Sequence, residues 1–202
     1  MIQRIMVWDV PTRVFHWLLV TSFVGAYLTA ESERYRDIHV MLGYTLFGLL
    51  AFRVLWGFVG TRYAQFKSFL FKPGEVVTYV LSLMKGKAMH YVGHNPAGSV
   101  SIWLLLTLGI SLGVTGLMLL QDNVNDSVVN IHALATKIML AVVFIHLCGV
   151  LVSSVLHREN LVRAMVTGIK FSEPEDGISR SYAWLGVMML GAVAGFWFVF
   201  MR

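Results

Sequence analysis

Residues 131–155, IHALATKIMLAVVFIHLCGVLVSSV, are too long and too apolar for a surface helix of a soluble domain. Four further segments are built the same way, at residues 14–30, 39–59, 99–120 and 182–201. About 20 apolar residues in a helix cross the hydrocarbon core of a bilayer. The expected fold is therefore all-α, an integral membrane bundle of four helices plus a fifth C-terminal span. Composition agrees: 57% of residues are hydrophobic and 13% charged, with a mean hydropathy of +0.70, against roughly 25% charged in soluble domains. The first segment, with Arg4 before it and LTA ahead of Glu31, has the outline of a secretory signal. Asp9, Arg13 and His16 interrupt that outline, so a retained helix is expected.

In a membrane chain the net charge of +5 reads as topology rather than as a nucleic-acid footprint. The link at residues 60–98 holds Arg62, Lys67, Lys72, Lys85 and Lys87 against Glu75 alone, while residues 121–130 hold only Asp122 and Asp126. Lysine and arginine stay on the cytoplasmic side. That predicts a cytoplasmic N-terminus, an outer turn at 31–37, a cytoplasmic segment at 158–180 and an outer Arg202. Within the basic link, Lys72-Pro73-Gly74-Glu75 has the form of a helix start. Val76, Val77, Val80, Leu81 and Met84 follow on one face, which predicts an amphipathic helix lying on the cytoplasmic surface. The single cysteine, Cys148, allows no internal disulfide and no CxxCH haem attachment, and is expected to be a small packing residue.

An ionisable side chain inside a span is a functional hypothesis by default, because leaving it unpaired in hydrocarbon is costly. His132 and His146 lie fourteen residues apart in the fourth segment. On a helix that spacing is about 1,400° of rotation, within roughly 40° of whole turns, and about 21 Å of rise. The two therefore share a face at two depths. His39 opens the second segment, which runs in the same direction, and so is level with His132. His16 lies fourteen residues from Ala30, the outer end of the first segment, and so is level with His146. Two facing pairs result, His16 with His146 and His39 with His132. Paired axial imidazoles are what haem iron takes, so two haems b are expected. Gly43, Ala135 and Gly149 each follow one of these histidines by three or four residues and leave room on the same face.

The remaining basic groups are weighed against these pairs. Arg13 is one turn before His16, and Arg53 is fourteen residues beyond His39; a bidentate guanidinium at either position suits a haem carboxylate. His157 shares the face of His146 but lies at the depth of Arg158, too far down to be a ligand. His90 and His94, in the basic link, are expected to be solvated.

RVFHWLL at 13–19, DIHVMLGY at 37–44, RVLWGFVGTRYAQF at 53–66 and GHNPAG at 93–98 resemble the bacterial cytochrome b561 and nickel-iron hydrogenase b-type cytochrome superfamily. The resemblance spans about residues 5–160 and implies a di-haem cytochrome b of the bacterial inner membrane, with residues 161–202 as an added link and helix. It implies His16, His39, His132 and His146 as the four iron ligands. It further implies electron exchange between quinone, ubiquinone or menaquinone, and a periplasmic c-type cytochrome or hydrogenase-like protein. A quinone site near the inner pair would draw on His94, Asn95 or Arg53. The bland reading of GHNP is a turn ahead of the third span. The uncharged fifth span departs from members that stop at four, serving as a lipid-facing strut or as a docking surface, a homodimer included. Two other classes compete: a stand-alone superoxide:quinone oxidoreductase, and a histidine-based proton or metal transporter, which would want carboxylates beside the histidines within the spans.

Overall fold

The computed structural model describes residues 1–121 and 125–202; Asp122, one of the acids used to orient the bundle, lies outside them. In chain order the elements are β1 (Gln3–Met6), α1 (Val10–Thr29), α2 (Arg36–Val59), α3 (Pro73–Met84), α4 (Pro96–Met118), α5 (Asp126–Leu156), α6 (Leu161–Thr167), β2 (Ile169–Ser172) and α7 (Ala183–Phe200). The long helices fall on the five apolar segments, and α3 on the predicted amphipathic stretch. The helix starts carry their own stop signs for the preceding chain. Asp9, Asn95, Asn125 and Asn160 each accept a backbone N–H of the following turn as caps of α1, α4, α5 and α6.

Among the described residues, four helical stretches, Glu33–Val59, Pro96–Met118, Asp126–Leu156 and Ala183–Phe200, are long and apolar enough to cross a membrane. The first segment, also expected to be a span, is not among these four. Helix α1 has 20 residues, about 30 Å and a spanning length. Arg13, His16 and the hydroxyls of Thr12, Thr21, Ser22 and Thr29 lower its hydropathy.

Helices α1 and α2 form one hairpin and α4 and α5 another, joined where α2 packs on α4. Helix α5 runs along α4 yet scarcely approaches the backbone of α1 or α2. A gap between the two hairpins is thus built into the bundle. Close contact is made instead at α2–α4, where the Phe47 ring leaves no room for a Cβ on Gly113.

Residues 161–202 come back onto the rest of the chain rather than forming a separate layer. Strand β1 pairs antiparallel with β2, Gln3 opposite Ser172 and Met6 opposite Ile169. Gly168, at φ +81°, makes the turn into β2, and its carbonyl accepts from Val7 and Trp8 N–H at 2.8 and 3.2 Å. Ile5, Val7, Trp8, Tyr63 and Ala164 close a small core there. The N-terminus, the 60–98 link and the 158–180 segment therefore share one end of the bundle, here called the basic end. Helix α7 leans on α1 and α2, with Trp197 Nε1 donating to Thr45 Oγ1 at 2.8 Å. The Gly191 and Gly195 faces of its GAVAG pattern meet no neighbour.

Two surface expectations have opposite outcomes. On α3, Val77, Val80, Leu81 and Met84 are all exposed, the unpartnered apolar face that a helix on a membrane surface needs. Cys148, expected to pack, is exposed. Helix α5 is apolar all round, so no periodicity distinguished its outward face from its inward one.

Candidate functional site

Each histidine pair has one member on α5 and the other on α1 or α2, the helices that stand apart from it. His132 and His39 lie within electrostatic reach of one another, and so do His16 and His146. All four rings are half-buried rather than packed into a core.

The His39–His132 level is the more completely ordered. His39 Nδ1 lies 2.8 Å from the Ala26 carbonyl oxygen, an acceptor only, so Nδ1 carries the proton. His132 Nδ1 lies 2.8 Å from Thr115 Oγ1. That hydroxyl donates its own hydrogen to the Ser111 carbonyl at 2.7 Å, so it accepts from His132 Nδ1–H. In the neutral imidazole this tautomer leaves Nε2 as the free acceptor on each ring. Tying off one ring nitrogen in this way is how a protein fixes the tautomer and orientation of a metal-ligating histidine. Half-buried Gly43, one turn after His39, would meet nothing within 4 Å if given a Cβ. A Cβ on Gly116 would approach only His132, at 3.6 Å. At the other level the His16 ring stands edge-on to Trp17 at 5.2 Å, and its Nδ1 is buried with no partner. The open glycine sides and the helix gap fit a flat macrocycle held between imidazoles.

The basic end is organised by Asp9. Its buried carboxylate accepts Thr12 N–H at 2.7 Å, Trp56 Nε1–H at 3.1 Å and the Thr61 hydroxyl at 2.5 Å. Arg13 and Arg53 both lie in its field. Arg13 is committed to the fold, donating to the Val166 carbonyl at 2.6 Å. Arg53 is buried against the Phe66 and Phe69 rings, 5.1 and 5.7 Å from their centroids, and its Nη1 has no partner.

His94 corrects the expectation of a solvated link residue. Its half-buried ring sits between Trp8, at 4.7 Å, and Phe69, at 4.8 Å, and its Nδ1 is buried with no partner. Burial pushes its pKa down to about 3, with the fields of Arg53, Lys170 and His146 acting in the same direction. His94, in the 60–98 link, thus lies within electrostatic reach of His146. Asn95 acts as a cap, its Oδ1 taking the Gly98 N–H at 2.7 Å, as the turn reading of GHNP requires. His157 sits 5.2 Å from the ring of His90 at the basic end, away from the two pairs. An apolar groove of about 340 Å³ between the link and α4, walled by Phe69, Phe71, Val76, Val100 and Trp103, shares Phe69 with the surroundings of His94. Among the described residues, no three His, Cys, Asp or Glu side chains converge as a metal-ion site.

Residues 7–168 match the family model of the prokaryotic cytochrome b561. The chain belongs to that family. It is accordingly a multi-pass membrane cytochrome that carries haem b and transfers electrons. A "probable Ni/Fe-hydrogenase B-type cytochrome subunit" of Rhizobium leguminosarum bv. viciae is 24% identical, over 86% of this chain and 92% of that protein. A protein of the same description from Rhodobacter capsulatus is 26% identical, over 80% of this chain and 79% of its own length. No solved structure matches. The family match takes in all four histidines and stops at Gly168, so β2 and α7 of this b561 cytochrome lie beyond it.

Thr115, the Ala26 carbonyl, Trp8 and Phe69 were not singled out from the sequence. A threonine in a span reads as a hydroxyl satisfied by its own helix, which Thr115 also is. A backbone acceptor has no sequence signature at all.

Proposed function

We propose that this b561 cytochrome holds two haems b, one between His39 and His132 and one between His16 and His146. It would move electrons between quinone at the basic end and a redox protein at the opposite end. The observation that carries the reading is the pair of imidazole stations bridging separated helices, with Nδ1 of His39 and His132 tied off and Nε2 free. Haem iron alternating between ferric and ferrous supplies one-electron carriage. The residues do the rest. Ala26 and Thr115 orient the outer pair, Arg53 offers a buried guanidinium with Nη1 unpartnered to a propionate or a quinone oxygen, and α7 braces the α1–α2 hairpin.

A cytoplasmic quinone site is supported by the groove whose inner wall, Phe69, touches both His94 and Arg53. A quinone tail fits an apolar groove of this size, and the head needs a donor such as the His94 ring. The lysine and arginine bias of the links supports a cytoplasmic basic end in a bacterial inner membrane, with the C-terminus periplasmic. The relatives' description as hydrogenase cytochrome subunits supports a hydrogenase-like partner on the outer side, a c-type cytochrome being the other candidate of that class. The test is anaerobic mixing of the purified, haem-loaded protein with a short-chain quinol while the haem absorbance is followed. Reduction in the wild type, slowed at least about tenfold in His94→Leu, is expected. A wild-type spectrum that the quinol leaves unchanged refutes the quinone assignment.

A further inference from the structure

We propose that His90, Glu159 and Lys170 form a proton entry from the basic end to His94, an inference that rests on the quinone reading above. The cavity that contains them is about 20 Å³, room for one water. Four parts of the fold supply titratable groups to it: Tyr79 from α3, His90 and Tyr91 from the link, His157 and Glu159 from the end of α5 and just beyond, and Lys170 from β2. Glu159 Oε2 receives His90 Nε2 at 3.2 Å and Lys170 Nζ at 3.0 Å. Side-chain exposure falls from 42% at His90 through 19% at Glu159 to 2% at Lys170. The three groups are therefore ordered from water inward. Gly93 and Asn95, on either side of His94, line the same cavity as Lys170.

A buried ion pair is a poor way to add stability, since apolar residues of the same volume commonly do as well or better. Its chemistry suits transfer. Burial lowers the pKa of Lys170 against the opposing pull of Glu159, bringing the ammonium nearer to release. Burial also lowers that of His157, whose Nε2 has no partner.

Quinone becomes quinol by taking up two electrons and two protons, and the reverse reaction returns both. For each proton, the His94 ring gives its N–H proton to the quinone oxygen and takes one up at its other nitrogen, through the one water the cavity has room for, from the Lys170 ammonium. Glu159 takes a proton from His90 and passes it to the Lys170 amine, and His90 is recharged from water. No net charge stays behind.

The test uses the full haem-loaded protein, reduced with dithionite and mixed with a short-chain benzoquinone or with ferricyanide, which needs no proton. In Glu159→Gln the benzoquinone reaction should slow at least about tenfold with its solvent isotope effect retained or enlarged, and the ferricyanide reaction should be unchanged. Glu159→Asp should restore much of the rate. His90→Gln, at the exposed mouth, leaves the buried pair intact, so it serves if Glu159→Gln does not fold; added imidazole should rescue it. An infrared redox difference spectrum should lose a carboxyl band in Glu159→Gln. If wild type reacts with benzoquinone and both variants match it in rate, the proton entry is wrong. If wild type does not react with benzoquinone at all, the quinone reading falls and takes the proton entry with it.

Discussion

Thr115→Val is the sharpest perturbation of the proposed outer station, because it keeps the shape of the side chain and removes one acceptor. Thr115 is buried, and its Oγ1 is the partner given to His132 Nδ1, at 2.8 Å. Without it the Nδ1–H is stranded between α4 and α5, at a cost of about 1–3 kcal/mol. Outer-shell partners of metal-bound histidines change metal affinity by about 10–100-fold, which is about 1.4–2.8 kcal/mol and of the same size. The lost bond also makes the imidazole a weaker donor to iron, which hurts the ferric state more than the ferrous. If about 1 kcal/mol of the loss falls on the ferric state alone, the potential rises by about 40 mV, at 59 mV per tenfold for one electron. The His16–His146 level, about 21 Å away by helix rise, should not move. A spectroscopic redox titration in detergent reads both. One wave should shift up by about 40 mV while the other stays, and Thr115→Ser should behave as wild type. Two waves that move together, or neither moving, would refute the assignment of Thr115 to a single station.

Two further outcomes follow from the basic end. His94 has a folded pKa of about 3 and an ordinary value of 6.5, so between those limits the unfolded chain binds a proton that the folded chain refuses. Stability should fall as pH drops below about 6.5, by about 2 kcal/mol at pH 5. Thermal denaturation in detergent at pH 7.5 and 5 should show that loss largely absent in His94→Gln; equal losses would contradict the burial argument. Asp9→Ala strands the Thr12 N–H, the Trp56 Nε1–H and the Thr61 hydroxyl together. It should cost about 3 kcal/mol or more by the same assay, with Asp9→Asn milder because one acceptor oxygen remains.

The helices and the two histidine levels were legible because hydrocarbon thickness and helical rise are simple periodic constraints. Fourteen residues between His132 and His146 translate into depth without knowledge of any neighbour. The second partners of those histidines were not legible. Ala26 contributes a carbonyl, and Thr115 lies seventeen residues before His132 on another helix. The β1–β2 pairing was missed because it joins four-residue strands at opposite ends of the chain, too short for a pattern to stand out. The link misled in the other direction. Its lysines and arginines described its surface correctly, while Trp8 and Phe69, distant in sequence, flank His94. Cys148 shows the limit set by lipid: on a helix apolar all round, inside and outside look alike.

The central claim, two haems held by two cross-helix histidine pairs, is tested most directly by haem-to-protein stoichiometry in the wild type and in His39→Ala, read with a redox titration. Two haems per chain in the wild type and one in His39→Ala, with a single remaining wave, are the expected result. One haem in the wild type, or two retained in His39→Ala, would contradict it.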